Sequence, residues 1–299
     1  MFFRMNNIKE SRKIGKIISK IEKGEYKDNY RRDYSSHVIG ITGPLGVGKS
    51  TIVYQLGKLY AEKGKKTGII LNDPASESGG SFLGDRIRMQ KLSGYKNVFI
   101  RSLSSKDAGG ISGITRDAVN LLEKSSFEKI IVESVGAGQS EIEIASLVDT
   151  CIVVLMPGMG DEIQMLKSGI NEIADIFVVN KSDKKQAQRT LREVEMLVNM
   201  KKGDWKIPVV LTSAIKNKGI SELMEKIKEH HRYFKDNFKK IRKLKLEKEL
   251  RILIKNEINK KLNCFFKKNL KNYVDEILTN KKDTSTVAKE VVNDCFTKE

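Results

Sequence analysis

The stretch Gly43-Pro44-Leu45-Gly46-Val47-Gly48-Lys49-Ser50, followed by Thr51, has the phosphate-binding spacing Gly-x4-Gly-Lys-Ser. Glycines there let backbone N–H groups approach a triphosphate closely. Lys49 can reach the β- and γ-phosphates, and the Ser50 hydroxyl can bind Mg²⁺. A second set of residues fits a purine. Asn180-Lys181-Ser182-Asp183 matches the guanine reader Asn-Lys-x-Asp. The Asp183 carboxylate can accept from both N1–H and N2–H₂ of guanine, a donor pair that adenine lacks. The Lys181 stem would lie over the purine face. Thr212-Ser213-Ala214 fits the second guanine loop, where a backbone N–H meets O6. A plain strand-to-helix turn and a solvated polar turn are the ordinary alternatives for these motifs. The order in which the motifs follow one another along the chain argues against both.

The elements that must position these residues are legible around them. His37–Thr42 is a β-branched run ending at the glycine loop, and Thr51–Lys63 has Ile52, Leu56, Leu59 and Tyr60 at helical spacing. Strand, glycine loop and helix N-terminus together make an anion site. Further strands are expected at Thr67–Asn72, Asn97–Ser102, Lys129–Val132, Thr150–Met156, Ala174–Val179 and Ile207–Leu211, alternating with helical segments. This alternation predicts an α/β fold, a P-loop NTPase with a doubly wound, mostly parallel sheet and its loops gathered at one edge. Asp73 and Asp85 lie in the Gly-rich loop after the second strand. Glu133 ends the strand at Lys129–Val132, beside Gly136 and Gly138, as suits the metal and water side of a nucleotide site. Gln139 is a weaker candidate for a water-positioning role.

Three regions result. Residues 1–34 form an N-terminal helical extension, with Ile14, Ile17, Ile18 and Ile21 on one face and Gly24 as its stop. Residues 35–232 are the nucleotide domain, and 233–299 a C-terminal helical extension. In the last region Phe234–Leu270 reads as a long basic helix and Val274–Cys295 as another, interrupted around Asn280–Thr286. Leu244, Leu246, Leu250, Ile252, Leu253, Ile254, Ile258 and Leu262 give the long helix an apolar side that needs cover, either from its own domain or from a second copy.

Composition bounds the function. Among 299 residues, 39% are apolar and 31% charged, which describes a chain with a true core. No apolar run approaches the roughly 20 residues of a membrane span, and the N-terminus lacks the apolar stretch of a secretory signal. Cys151, Cys264 and Cys295 are far apart and odd in number, so a disulfide framework or zinc site is not expected and a cytoplasmic location fits. The net charge of +18 raises a nucleic-acid reading. Between Arg232 and Lys268, however, fourteen Lys/Arg face four Asp/Glu, so ten of those charges belong to one stretch. Few aromatic residues are interleaved there. Nucleic acid is therefore not favoured, and the stretch reads as a solvated face or a docking surface for an acidic partner.

The segments GPLGVGKST, DPASESGGSFLGDRIRM, VESVGAGQSE, PGMGDEIQMLKSGINEIADIFVVNKSD and TSA together resemble the MeaB/ArgK family, the GTPase chaperones of cobalamin-dependent methylmalonyl-CoA mutase. The resemblance runs from about Tyr34 to His231. It implies a Mg²⁺-dependent GTPase, homodimeric through its C-terminal helices, that gates adenosylcobalamin delivery to the mutase, protects the mutase and helps expel damaged cofactor. Carried onto this chain, Gly43–Thr51 would bind the phosphates and Mg²⁺. Ser50, Asp73, Asp85 and Glu133 would surround the metal and attacking water, with Lys49, Glu133 and Asp85 in catalysis. Asp161 to Lys167 would report the nucleotide state to the mutase. The segment Asp73–Gly80 is one residue shorter than the family's usual Asp-Pro-Ser-Ser-x-x-Thr-Gly-Gly. Which of Asp73 and Asp85 is the main metal carboxylate stays open. A nickel-insertion GTPase shares the glutamate-glycine motif but usually carries Cys/His relay residues, which are not beside the motif here. A transport-linked kinase, an older label of the family, is opposed by the guanine reader.

Overall fold

Long β-branched runs with no polar alternation form strands buried on both faces, as in parallel sheets covered by helices. The computed structural model describes residues 6–26, 32–74, 89–105, 113–136, 140–158, 172–201, 203–279 and 282–297. In chain order its elements are α1 (Asn6–Glu22), β1 (His37–Thr42), α2 (Lys49–Glu62), β2 (Thr67–Pro74), β3 (Val98–Ser105), α3 (Gly113–Lys124), β4 (Lys129–Glu133), α4 (Ser140–Leu147) and β5 (Thr150–Leu155). They continue with β6 (Ile176–Val179), α5 (Ala187–Asn199), β7 (Val209–Leu211), α6 (Ile220–Asp236), α7 (Phe238–Leu278) and α8 (Thr284–Thr297). All strand pairs are parallel, in the order β3-β2-β4-β1-β5-β6-β7.

The two-residue period sends alternate side chains to two cores. Ile130 and Val132 of β4, Cys151, Val153 and Leu155 of β5, and Phe177 and Val179 of β6 pack with α1, α3, α4 and α5. Ile131, Ile152, Val154, Ile176 and Val178 face the opposite way, onto α2 and α6. α1 buries Ile14, Ile18 and Ile21 in the first core. Both its acids tie it down: Glu10 pairs with Lys66 at 2.9 Å, and Glu22 with Arg101. The strand order reverses around β1, which lies between β4 and β5. Ligand crevices of open α/β sheets form outside the carboxyl ends of strands at such a point.

The chain separates into two compact units, residues 1–245 and 246–299. The helix expected to begin at Phe234 begins instead at Phe238. Phe234 is buried and contacts the rings of Tyr34, His231 and Phe238, so α6 continues to Asp236 and breaks at Asn237. α7 runs unbroken to Leu278. In the second unit Asp283 Oδ1 accepts the N–H groups of Ser285 and Thr286 at 2.9 and 3.0 Å, an N-cap that starts α8. No helix among the described residues is long and apolar enough to cross a membrane.

Candidate nucleotide site

β1 delivers the chain at Thr42, and the glycine loop turns it into α2, whose first residue is Lys49. Two glycines are required by the geometry. Gly48 has φ 97°, and a Cβ there would run into the Asn180 amide. Gly43 has φ 137°, and its Cβ would strike the Val154 carbonyl. The Lys49 ammonium is enclosed by this loop and donates to Gly43 O (2.8 Å) and Pro44 O (2.9 Å). One residue on, Ser50 Oγ donates to Glu133 Oε1 at 2.7 Å. The end of β4 is thereby brought against the start of α2.

Asn180, after β6, joins three loops. Its Nδ2 donates to Val47 O at 2.8 Å, and its Oδ1 accepts from the Ala214 N–H at 3.0 Å and from Thr212 Oγ1 at 3.1 Å. All of these groups are buried, so each bond contributes about 0.5–1.5 kcal/mol and would cost more if broken. Lys181 follows in a left-handed conformation, φ 59°, and its Nζ donates to Gly46 O at 2.7 Å. Its alkyl stem therefore spans from the Asn180–Asp183 turn to the glycine loop. Asp183 Oδ1 accepts from Ser213 Oγ at 2.9 Å. That hydroxyl, together with its own backbone N–H, holds the Asp183 carboxyl below its ordinary range. An ionised carboxylate accepts only, which suits a pair of donors on a purine edge.

These loops enclose a cleft of about 620 Å³ lined by Leu45, Gly46, Gly48, Lys49, Ser50, Thr51, Asn72, Glu133, Ser134, Val135, Asn180, Lys181, Asp183, Ser213, Ala214 and Ile215. Val47 and Thr212 are fully buried beneath it and support it. Asp85, Gln139 and the segment from Asp161 to Lys167 lie outside the described residues, as does the Asp73 side chain. Among the described residues no three His, Cys, Asp or Glu side chains converge as a metal site. Ser50 Oγ and the Glu133 carboxylate are hard oxygen donors of the kind Mg²⁺ takes. That ion commonly completes its shell with water and phosphate oxygens. The motifs did not flag Asn72, Thr115 or Gln55. Gln55 Nε2 donates to Ala214 O at 2.8 Å, linking α2 to the turn at Thr212-Ser213-Ala214. The polar end of the run TGIILN was the one available hint for Asn72.

A parallel sheet in this order, with a glycine loop joining β1 to α2, defines a P-loop NTPase. Residues 30–267 match the family model described as methylmalonyl-CoA mutase-associated GTPase MeaB, and the chain belongs to that family. A protein of Pyrococcus horikoshii that carries the GTPase name is 39% identical over 268 residues, covering 85% of this chain and 84% of that protein. The mitochondrial methylmalonic aciduria type A homolog of Mus musculus is 37% identical over 199 residues, 64% of this chain and 48% of its own length. A solved LAO/AO transport system kinase shares the fold, with a TM-score of 0.69 at 22% identity over 98% of this chain and 99% of that one. The protein is a GTP hydrolase.

Proposed function

We propose that this GTPase requires Mg²⁺ and acts as a chaperone of a cobalamin-dependent acyl-CoA mutase such as methylmalonyl-CoA mutase, gating adenosylcobalamin delivery and protecting or reactivating the mutase. The match over residues 30–267 to a family described by its association with that mutase carries the reading. In this reading Asp183 receives guanine N1–H and N2–H₂, a backbone N–H of the turn at Thr212-Ser213-Ala214 meets O6, and the Lys181 stem covers the ring. The loop from Gly43 to Thr51 wraps the phosphates, with the Lys49 ammonium against the β- and γ-oxygens. Ser50, with Glu133 and the carboxylates of Asp73 and Asp85, would hold Mg²⁺, which supplies charge neutralisation at the phosphates. Glu133 orients the attacking water, and Asp85 assists on the same side. Phosphoryl transfer depends mainly on such positioning and charge stabilisation.

The C-terminal helical extension, residues 233–299, is proposed to form the homodimer, and Asp161 to Lys167 to carry the nucleotide state to the mutase. The test is steady-state GTP hydrolysis with and without purified methylmalonyl-CoA mutase. Stimulation of at least about tenfold is expected if the mutase completes or orders the site. Wild-type hydrolysis indifferent to saturating mutase, with no complex on gel filtration, would overturn the chaperone reading and leave the GTPase intact.

A further inference from the structure

We propose that Asn72, oriented by Thr115, is a positioning residue that fixes Glu133 against the phosphate loop; this rests on the reading of Glu133 as the group that orients the attacking water. Glu133 is the last residue of β4, and regular pairing stops at it on both sides, at Ile41↔Glu133 with β1 and Leu71↔Glu133 with β2. Something must hold the chain where the ladders end. On the β1 side the next residue does so: the Ser134 N–H donates to Ile41 O at 3.0 Å, and Ser134 Oγ to Thr42 Oγ1 at 2.8 Å. On the β2 side the Glu133 carbonyl accepts from Asn72 Nδ2 at 2.9 Å. A side-chain amide thus extends the ladder by one bond, from β2, which also carries Asp73, paired with Ser104 rather than in the loop expected from the sequence.

The Asn72 amide has one workable orientation. Thr115 Oγ1, on α3, donates to Asn72 Oδ1 at 2.7 Å. With the amide turned over, its oxygen would face the Glu133 carbonyl and its NH₂ the hydroxyl, and the carbonyl would lose its donor. Thr115 is fully buried, and Asn72 and Glu133 are each 8% exposed, so water cannot readily substitute. Thr115 does not line the cleft. Its influence on the site passes through Asn72 to the Glu133 peptide, and from there to the 2.7 Å contact of the carboxylate with Ser50. A displacement of that peptide by a fraction of an ångström would move the carboxylate off the water and metal side. Turnover is far more sensitive to such a shift than nucleotide affinity, which the loop at Gly43–Thr51 and the reader at Asn180–Asp183 supply.

The experiment compares full-length wild type with Asn72→Ala, Thr115→Val, Thr115→Ser, Glu133→Gln and the double variant Asn72→Ala/Glu133→Gln. It measures single-turnover GTP hydrolysis, GDP affinity and thermal midpoint. Asn72→Ala is expected to slow hydrolysis about 10- to 100-fold, and Thr115→Val about 3- to 10-fold, with GDP Kd within about threefold of wild type. Thr115→Ser, which keeps the hydroxyl, restores the rate. The double variant is no slower than Glu133→Gln, because both changes act through one group. Should Asn72→Ala be too unstable to bind GDP, the near-isosteric Thr115 pair gives the same reading. A wild-type rate for Asn72→Ala or Thr115→Val, with Glu133→Gln impaired, overturns the inference, as does a double variant slowed by the product of the single effects. Undiminished turnover of Glu133→Gln would overturn the reading of Glu133 itself, and the inference with it.

Discussion

The Asp183 carboxylate lines the cleft, and the Ser213 hydroxyl and its own backbone N–H, with Lys216 and Lys184 nearby, hold it below its ordinary range against the opposing effect of desolvation. It is an acceptor that holds the Ser213 hydroxyl on Oδ1. Replacing it by Asn puts a donor where guanine presents donors, and matches xanthine, which carries a second carbonyl in place of the amine. Asp183→Asn is expected to weaken GDP by at least about tenfold and to bind xanthosine diphosphate in its place, measured by calorimetry with both nucleotides. Unchanged GDP affinity would remove Asp183 from base recognition. Residues of this kind were legible in the sequence because the chemistry fixes both their type and their spacing: a lysine after glycines, a carboxylate three residues after an asparagine. Asn72 and Thr115 were not. Each is an ordinary polar residue inside a strand or helix, and what distinguishes them is contact across 61 and 43 residues of chain. Such pairings follow from the sheet order, which no local pattern states.

At the scale of elements, the strands were legible because a doubly covered parallel sheet demands unbroken apolar runs. Their ends moved by a few residues at most; β3, for example, extends to Ser105 where the expected strand ends at Ser102. The α6–α7 boundary was misread by four residues because Phe234 looks like the first apolar residue of the next helix. Its burial beside Tyr34 and His231 depends on the segment before β1. The Asp283 cap escaped notice because the surrounding Asn-Lys-Lys-Asp-Thr is polar throughout. The glycine loop and the Asn180 turn are elements that only work together, since Gly48 leaves room for the amide that ties them. Gly48→Ala places a Cβ against that amide and forces an L-residue into a left-handed conformation costing roughly 1–2 kcal/mol. GDP affinity is expected to fall by more than about tenfold, since the loop can no longer close on Asn180. Circular dichroism should show the helices intact. Wild-type GDP affinity in a folded Gly48→Ala protein would refute the coupling of the two loops.

On the scale of the whole molecule, all three histidines gather where the central strands β1 and β5 begin, at the other end of β1 from the glycine loop. His37 Nε2 and His230 Nδ1 share the Thr150 hydroxyl at 2.9 and 2.8 Å, and His37 stacks on His231 with centroids 3.8 Å apart. Burial, the neighbouring His231 and the Lys129 ammonium hold His37 well below the ordinary histidine value. Burial with Lys129 and Lys235 brings His231 to about 4. Both are neutral in the fold at a pH where the unfolded chain takes up protons, so stability falls as pH drops below about 6.5. The urea midpoint should decline between pH 7.5 and 5, above the range where carboxylates titrate. A flat profile would refute the neutral states of His37 and His231 in the fold. The second unit raises a question of cover rather than charge. From Leu246 onward α7 exposes Leu246, Leu250, Leu253, Ile254 and Ile258, which stand at i, i+4, i+7, i+8 and i+12 and so fall on one side. Covering their exposed surface by the same stripe of a second copy would contribute on the order of 5 kcal/mol, and self-complementary surfaces favour a two-fold dimer. Charges between the leucines, such as Lys248 and Arg251, would stay at the rim in water. Leu250→Glu combined with Leu253→Glu places two carboxylates from each copy in the seam, where burying unpaired charge outweighs what apolar contact remains. The doubly substituted protein is expected to elute as a monomer by light scattering at micromolar concentration, with GDP affinity unchanged because the nucleotide cleft lies in residues 1–245. A dimeric mass for that variant, or a monomeric mass for the wild type, would show that this stripe is not the dimer seam.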